Sequence, residues 1–117
     1  MGNRISIRFV SEGDYKSATL FSHWDGQELL EKVQIYLDDL YSELEGSIYP
    51  LNRKEPETVM VDFIRWLTKT EERIYSNYYI VPTPNDGDNS DNGHYDIMLY
   101  RDKYIIERKM KIRGELL

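Results

Sequence analysis

From Ile5 to Val10 the chain alternates. Ile5, Ile7 and Phe9 fall on one face and Ser6 and Arg8 on the other, which predicts a half-buried strand. SEGDYK (Ser11–Lys16) has turn chemistry centred on Gly13 and Asp14, and SATLFSHW (Ser17–Trp24) reads as the returning strand of a hairpin. The period then changes. Leu29, Leu30, Val33, Tyr36, Leu37, Leu40, Tyr41 and Leu44 form one stripe at the 3.6-residue repeat of a helix. Asp25 and Glu28 have capping-box spacing at its start, and Gly46 is placed to end it. After the connector SIYPLNRKE, Pro56 suits the first turn of a second helix. There Met60, Phe63, Ile64 and Leu67 share a stripe, with Val59 and Trp66 on its shoulders. So wide an apolar arc predicts burial against both a sheet and the first helix. YSNYYIVPT, HYDIMLY and KYIIERKMKI are rich in residues that favour strands, and RDK (Arg101–Lys103) is short enough for a hairpin turn. The order β-β-α-α-β-β-β predicts an α+β fold, a mainly antiparallel sheet with two helices packed on one face.

Composition narrows the classes. At 117 residues the chain reads as a single domain, 1–117, long enough to bury a core unaided. Hydrophobic residues at 40% and charged residues at 31% exclude a disordered chain. The absence of cysteine excludes disulfides, Cys-ligated zinc, iron–sulfur clusters and thiol catalysis, and fits a cytoplasmic setting. MGNRISIRFV lacks the apolar centre of a signal peptide, and no run approaches the roughly 18 apolar residues of a membrane helix. The net charge of −6 is uneven: residues 25–57 carry −6, residues 75–100 carry −4, and residues 101–117 carry +3. A uniformly basic nucleic-acid binder is excluded, and a basic C-terminal strip is left. The acidic helix face (Glu31, Asp38, Asp39, Glu43, Glu45) reads as solvated.

Candidate chemistry falls in three places. DNSDNGHYD (Asp88–Asp96) partly follows a calcium loop: Asp88, Ser90 and Asn92 occupy the first ligand slots, Gly93 the glycine slot and Asp96 the ninth position. Position 12 is Leu99, which cannot bind a cation, so the first reading is a mobile hairpin loop turned by Asn92-Gly93, with Ca²⁺ the alternative and no other cofactor expected. Ten tyrosines are many for this length, and Tyr75, Tyr78, Tyr79, Tyr95, Tyr100 and Tyr104 fall in the three late strands. Tyr100 with Arg101, Lys103, Arg108, Lys109 and Lys111 could form a stacking and phosphate-binding face, although tyrosine is equally favoured in sheet packing and at protein interfaces. Third, if the first hairpin is centred on SEGDYK, residues summing to 27 face each other. Arg4 then lies opposite His23 beside the helix start at Asp25, and Asn3, Arg4, His23 and Asp25 form one polar corner, which Asp91 and Asn92 join if the DNG turn lies at the same end of the sheet. No Gly-rich phosphate loop, HExxH or GxSxG is present, and no catalytic residue is assigned.

Three short segments carry a resemblance: Gly2-Asn3-Arg4 at the start, His23-Trp24-Asp25-Gly26 at the strand–helix junction, and Asp91-Asn92-Gly93-His94-Tyr95 before a late strand. In order and rough spacing they resemble a family of small uncharacterised proteins of phage, prophage and related bacterial or archaeal genomes. Its members have a GNR start, a tyrosine-leucine-HW-(N/D)G segment and a late DNGxY. Ser22 stands where leucine is usual before HW, and the middle of the chain does not align. That family brings no named activity. The resemblance implies that the hairpin corner and the DNG turn matter together.

The function expected from the sequence is that of a small, acidic, cytoplasmic accessory protein that acts by binding another protein, without catalysis. Weak Ca²⁺ binding through residues 88–96, or nucleic-acid binding through the Tyr/basic C-terminal strands, are the alternatives.

Overall fold

The computed structural model describes residues 3–44, 55–69 and 77–109; the proposed Gly46 helix stop, Tyr75 and Lys111 lie outside them. The elements are strands β1 (Ile5–Ser11), β2 (Tyr15–Lys16) and β3 (Thr19–Ser22), helices α1 (Glu28–Leu44) and α2 (Pro56–Thr68), then β4 (Tyr78–Val81), β5 (His94–Leu99) and β6 (Tyr104–Arg108). Among the described residues they form a six-stranded sheet in the order β4-β3-β1-β5-β6, with β2 continuing alongside β1. All pairings are antiparallel except β1 with β5, which is parallel. The protein is α+β, as the hydrophobic pattern predicts.

Both helices cover one face of the sheet. Ile5, Ile7 and Phe9 of β1, Leu20 of β3, and Ile97 and Leu99 of β5 meet Leu29, Val33, Leu37 and Leu40 of α1 and Val59, Met60, Phe63 and Leu67 of α2. Phe63 is the hub, with ring centroids 5.8 Å from Phe9, 5.2 Å from Tyr36 and 5.8 Å from Trp66. Phe9, Phe63, Leu37 and Ile97 are wholly buried, each contributing about 2 kcal/mol relative to exposure. This face is therefore the core, and the opposite face is left for other contacts.

The first hairpin departs from its expected form in an instructive way. Around the turn, Val10 pairs with Lys16 and Ser11 with Tyr15, so partners sum to 26. At the open end Ile5 pairs with Ser22 and Ile7 with Leu20, and partners sum to 27. One extra residue is thus inserted near Ala18, a β-bulge that divides the expected second strand into β2 and β3. Ser17 closes the bulge. Its N–H donates to the Phe9 carbonyl at 2.9 Å, and its hydroxyl accepts the Phe9 N–H at 3.0 Å.

The β4–β5 connection also departs from expectation. These strands do not form a hairpin, because β3 and β1 lie between them. Residues 82–93 instead run over the sheet face opposite the helices. A Cβ on Gly87 would lie 2.6 Å from the Phe21 ring, so the loop is seated directly on that ring. Gly93 alone supplies the positive φ expected of Asn92-Gly93.

Candidate functional site

The polar corner forms where the N-terminal end of β1, the β3–α1 junction and the end of the 82–93 loop meet. Beyond the last β1–β3 pair, the Asn3 N–H donates to the His23 carbonyl at 3.0 Å, and the Asn3 carbonyl accepts the Gly26 N–H at 2.8 Å. Gly26 has φ +57°, and a Cβ there would lie 2.5 Å from the Asn3 side chain, so this close approach requires glycine. From the loop, the Asn92 N–H donates to the Arg4 carbonyl at 2.9 Å, and Asn92 Nδ2 donates to Asn3 Oδ1 at 2.9 Å. Asp91 accepts from both the Arg4 backbone N–H (3.1 Å) and Arg4 Nε (2.8 Å), while Arg4 Nη1 pairs with Asp88. Asn3, Arg4, His23, Asp91 and Asn92 are therefore directly linked, and the described residues of the three short motifs meet here through mutual hydrogen bonds.

Asp25 belongs to this junction but not in the expected role. The Glu28 N–H is taken by the Asp25 backbone carbonyl at 3.1 Å. The carboxylate turns instead toward β4, accepting from the Tyr78 hydroxyl at 2.6 Å and from Asn77 Nδ2 at 3.3 Å, with Lys32 Nζ at 3.7 Å. The capping-box spacing is present, but a phenol from β4 and an amide from the residue before it take the carboxylate. Asp25 thus fastens the start of α1 to β4.

The His23 ring faces the second side of the sheet. Its centroid is 5.2 Å from Tyr79, which stacks on Phe21 at 5.0 Å, and 6.2 Å from Trp24. The Trp24 N–H is fixed by Asn77 Oδ1 at 3.1 Å, while its side chain remains 59% exposed. The Tyr79 hydroxyl accepts the Asp88 N–H at 3.0 Å, tying this aromatic rim to the loop.

Beneath the loop lies a buried polar row that the sequence did not bring together. Parallel pairing sets Ser6 beside His94 and Arg8 beside Asp96. Asn89 Nδ2 donates to Ser6 Oγ at 2.8 Å. Ser6 Oγ lies 2.7 Å from His94 Nδ1, and His94 Nε2 lies 2.7 Å from Asp96 Oδ1, which also accepts from Arg8 Nε at 2.8 Å. Burial would raise the Asp96 pKa. The hydrogen bonds from His94 and Arg8 outweigh it, with their charges, and hold the carboxyl down at about 2. An ionised Asp96 only accepts, so His94 Nε2 carries a proton. While Nδ1 is bare, the Ser6 hydroxyl donates to it and the same oxygen accepts from Asn89. The order Ser–His–Asp is that of a hydrolytic triad. Ser6 is nevertheless wholly buried and its oxygen is held by Asn89, so it does not face a substrate; the row braces the loop against the sheet.

The remaining candidates are dispersed. Of the four cation-ligand candidates, Asp88 accepts from Ser90 N–H and hydroxyl and pairs with Arg4, Asn92 bonds Asn3 and Arg4, and Asp96 lies below in the buried row. Among the described residues no three His, Cys, Asp or Glu side chains converge as a metal site. The tyrosines do not share a face. Tyr79 lies on the loop side. Tyr104 donates to Asp38 at 2.6 Å, Tyr78 to Asp25, and Tyr41 to the Tyr100 carbonyl at 2.7 Å, while Tyr95 accepts from Gln27 at 3.2 Å. Apart from Tyr79, these rings pack on the core, and their hydroxyls tie the sheet to α1 or to the junction that leads into it. Burial first, then the Asp38 carboxylate, pushes Tyr104 up to about 12. Of the basic candidates, Arg101 and Lys103 lie at the β5–β6 turn, with Lys103 Nζ 5.7 Å from the Tyr100 ring. Arg108 and Lys109 lie at the other end of β6, Lys109 paired with Glu107 at 2.9 Å. Sequence reasoning missed Ser6, Arg8, Asn77 and Asn89. The alternation put Ser6 and Arg8 on the polar face of β1, but no local signal paired that face with β5.

No described helix is long and apolar enough to cross a membrane. Comparisons with protein-family models, with curated proteins and with solved structures return no match, so no family is assigned by similarity.

Proposed function

We propose that this chain acts by binding another protein, as a cytoplasmic accessory factor, through the aromatic rim of the polar corner. One observation carries the reading: Trp24 is largely exposed yet held on a rigid support. Its N–H is fixed by Asn77, and its ring stands beside His23, which rests on Tyr79. An exposed indole whose backbone is already ordered loses little freedom on binding, and tryptophan, tyrosine and arginine are the residues that most often dominate protein contacts. Arg4 and Asp88, half-exposed beside the rim, supply the polar edge that such contacts have. The acidic α1 surface adds long-range charge around the contact rather than its centre.

The test is affinity capture from the source cell's lysate with the native chain, with Trp24→Ala, and with Ile35→Ala as an equally exposed control on α1. A protein retained by the native chain and by Ile35→Ala but lost with Trp24→Ala supports the proposal. Capture unchanged by Trp24→Ala, or capture of material that nuclease removes, overturns it.

A further inference from the structure

The buried row under the loop has one arrangement of protons that satisfies every partner. Asn89 donates to Ser6, Ser6 donates to His94 Nδ1, and His94 Nε2 donates to Asp96. We propose that this row is a proton-operated latch: the 82–93 loop is held on the sheet while His94 Nδ1 is bare, and is released when that nitrogen takes a proton.

The argument is one of donors and acceptors. A second proton on His94 sets two donors against each other across the 2.7 Å between Nδ1 and Ser6 Oγ. The Ser6 proton must then leave this line, and among the described residues the hydrogen-bond partners of Ser6 Oγ are His94 and Asn89, both then donating. Ser6 and His94 are wholly buried and Asn89 nearly so, so water does not take up the displaced bond, and a buried donor without an acceptor is costly. The strain falls on Asn89, the loop's inward anchor, whose Nδ2 also donates to the Pro84 carbonyl at 3.2 Å.

The charged groups around His94 lie on its own strand, on β1, on β6 and on the loop. On its own strand Asp96 favours the imidazolium. From β1, Arg8 opposes it through the same carboxylate, 2.8 Å away. From β6, Glu107 pairs with Asp96 in the ladder and Lys109 donates its N–H to the His94 carbonyl; their side chains are paired with each other at 2.9 Å. From the loop, Asp88 and Asp91 are engaged by Arg4. β3 contributes Phe21, which is uncharged, beside Ser6. When the latch opens, the loop takes with it Asp88 and Asp91, the partners of Arg4, and the bond to the Tyr79 hydroxyl. The latch stands independently of what the corner binds.

The test follows two quantities in the full-length chain. The His94 imidazole is titrated directly by nitrogen-detected NMR, and amide-exchange protection of Asp88–Asn92 is measured over the same pH range. Loop protection should fall about tenfold, the worth of roughly one buried hydrogen bond, in step with His94 protonation, while protection of β1 and β3 holds. In Ser6→Ala the loop should be less protected at the outset and should not respond. In His94→Gln the response should vanish. Loop protection that stays constant in the native chain while His94 goes from neutral to charged overturns the latch, and so does an equal fall in His94→Gln.

Discussion

Replacing Asp96 by asparagine removes one charge and keeps nearly the same shape, so it isolates what the carboxylate does in the buried row. In the native chain its two oxygens take Arg8 Nε at 2.8 Å, Arg8 Nη2 at 3.4 Å and His94 Nε2 at 2.7 Å. The amide offers one acceptor oxygen in place of two and turns an N–H toward a guanidinium that is itself mostly buried. Stranding a buried charge costs about 3–5 kcal/mol, and the remaining acceptor offsets part of this, so the expected loss at neutral pH is about 3 kcal/mol. The same group fixes a pH signature. Its folded pKa lies at about 2, below the 3.8 of the unfolded chain. A depressed carboxylate contributes stability that is fully present above the unfolded value and is lost as pH falls through the folded one. The drop from 3.8 to about 2 corresponds to about 2 kcal/mol. Urea unfolding of the native chain and of Asp96→Asn between pH 6 and pH 2 checks both. The gap between the two proteins should be widest above pH 4 and should narrow by about 2 kcal/mol toward pH 2. A gap that is constant across this range refutes the reasoning, since it would mean that the carboxylate's charge contributes nothing to the fold.

Gly26→Ala should destabilise by about 2–3 kcal/mol, because a side chain there adopts a left-handed φ and also meets Asn3; adding Asn3→Ala should restore the part due to the clash and leave about 1 kcal/mol of backbone strain, as read from thermal melts. Asp25→Ala and Tyr78→Phe should each cost about 1–2 kcal/mol through their shared 2.6 Å bond, and the double variant should cost less than the two together in urea unfolding; full additivity would show that the tether between α1 and β4 is worth nothing.

The helices and the core were legible in the sequence because their signals are local. The stripe through Leu29, Val33, Tyr36, Leu37 and Leu40 and the arc through Val59, Met60, Phe63 and Leu67 are buried as the periodicity predicts. The hairpin register at Ile5–Ser22 was legible for a reason the sequence did not display. The turn is centred on Gly13 rather than between Gly13 and Asp14, and the bulge near Ala18 restores the offset, so the two departures cancel. Asp25 shows the limit of a local motif: its spacing to Glu28 is right, but Tyr78, 53 residues away, takes the carboxylate. The row Ser6–His94–Asp96–Arg8 was illegible because it depends on a parallel pairing between strands that are distant in sequence. Consecutive strands usually pair, and that tendency suggests a β4–β5 hairpin that the sheet does not form.

The parallel partnership of β1 and β5 also sets the timing of assembly. Ser6 meets His94 across 88 residues of chain, and β1 lies at the middle of the sheet with β3 on one side and β5 on the other. The hairpin and both helices leave the ribosome before β5 does, and until β5 arrives one whole edge of β1 has no partner strand. Closing so long a loop is slow, and an exposed central edge is the surface on which growing chains pair with one another. A nascent chain halted before residue 94 should therefore be prone to association, and the arrival of six residues, His94–Leu99, should end that exposure.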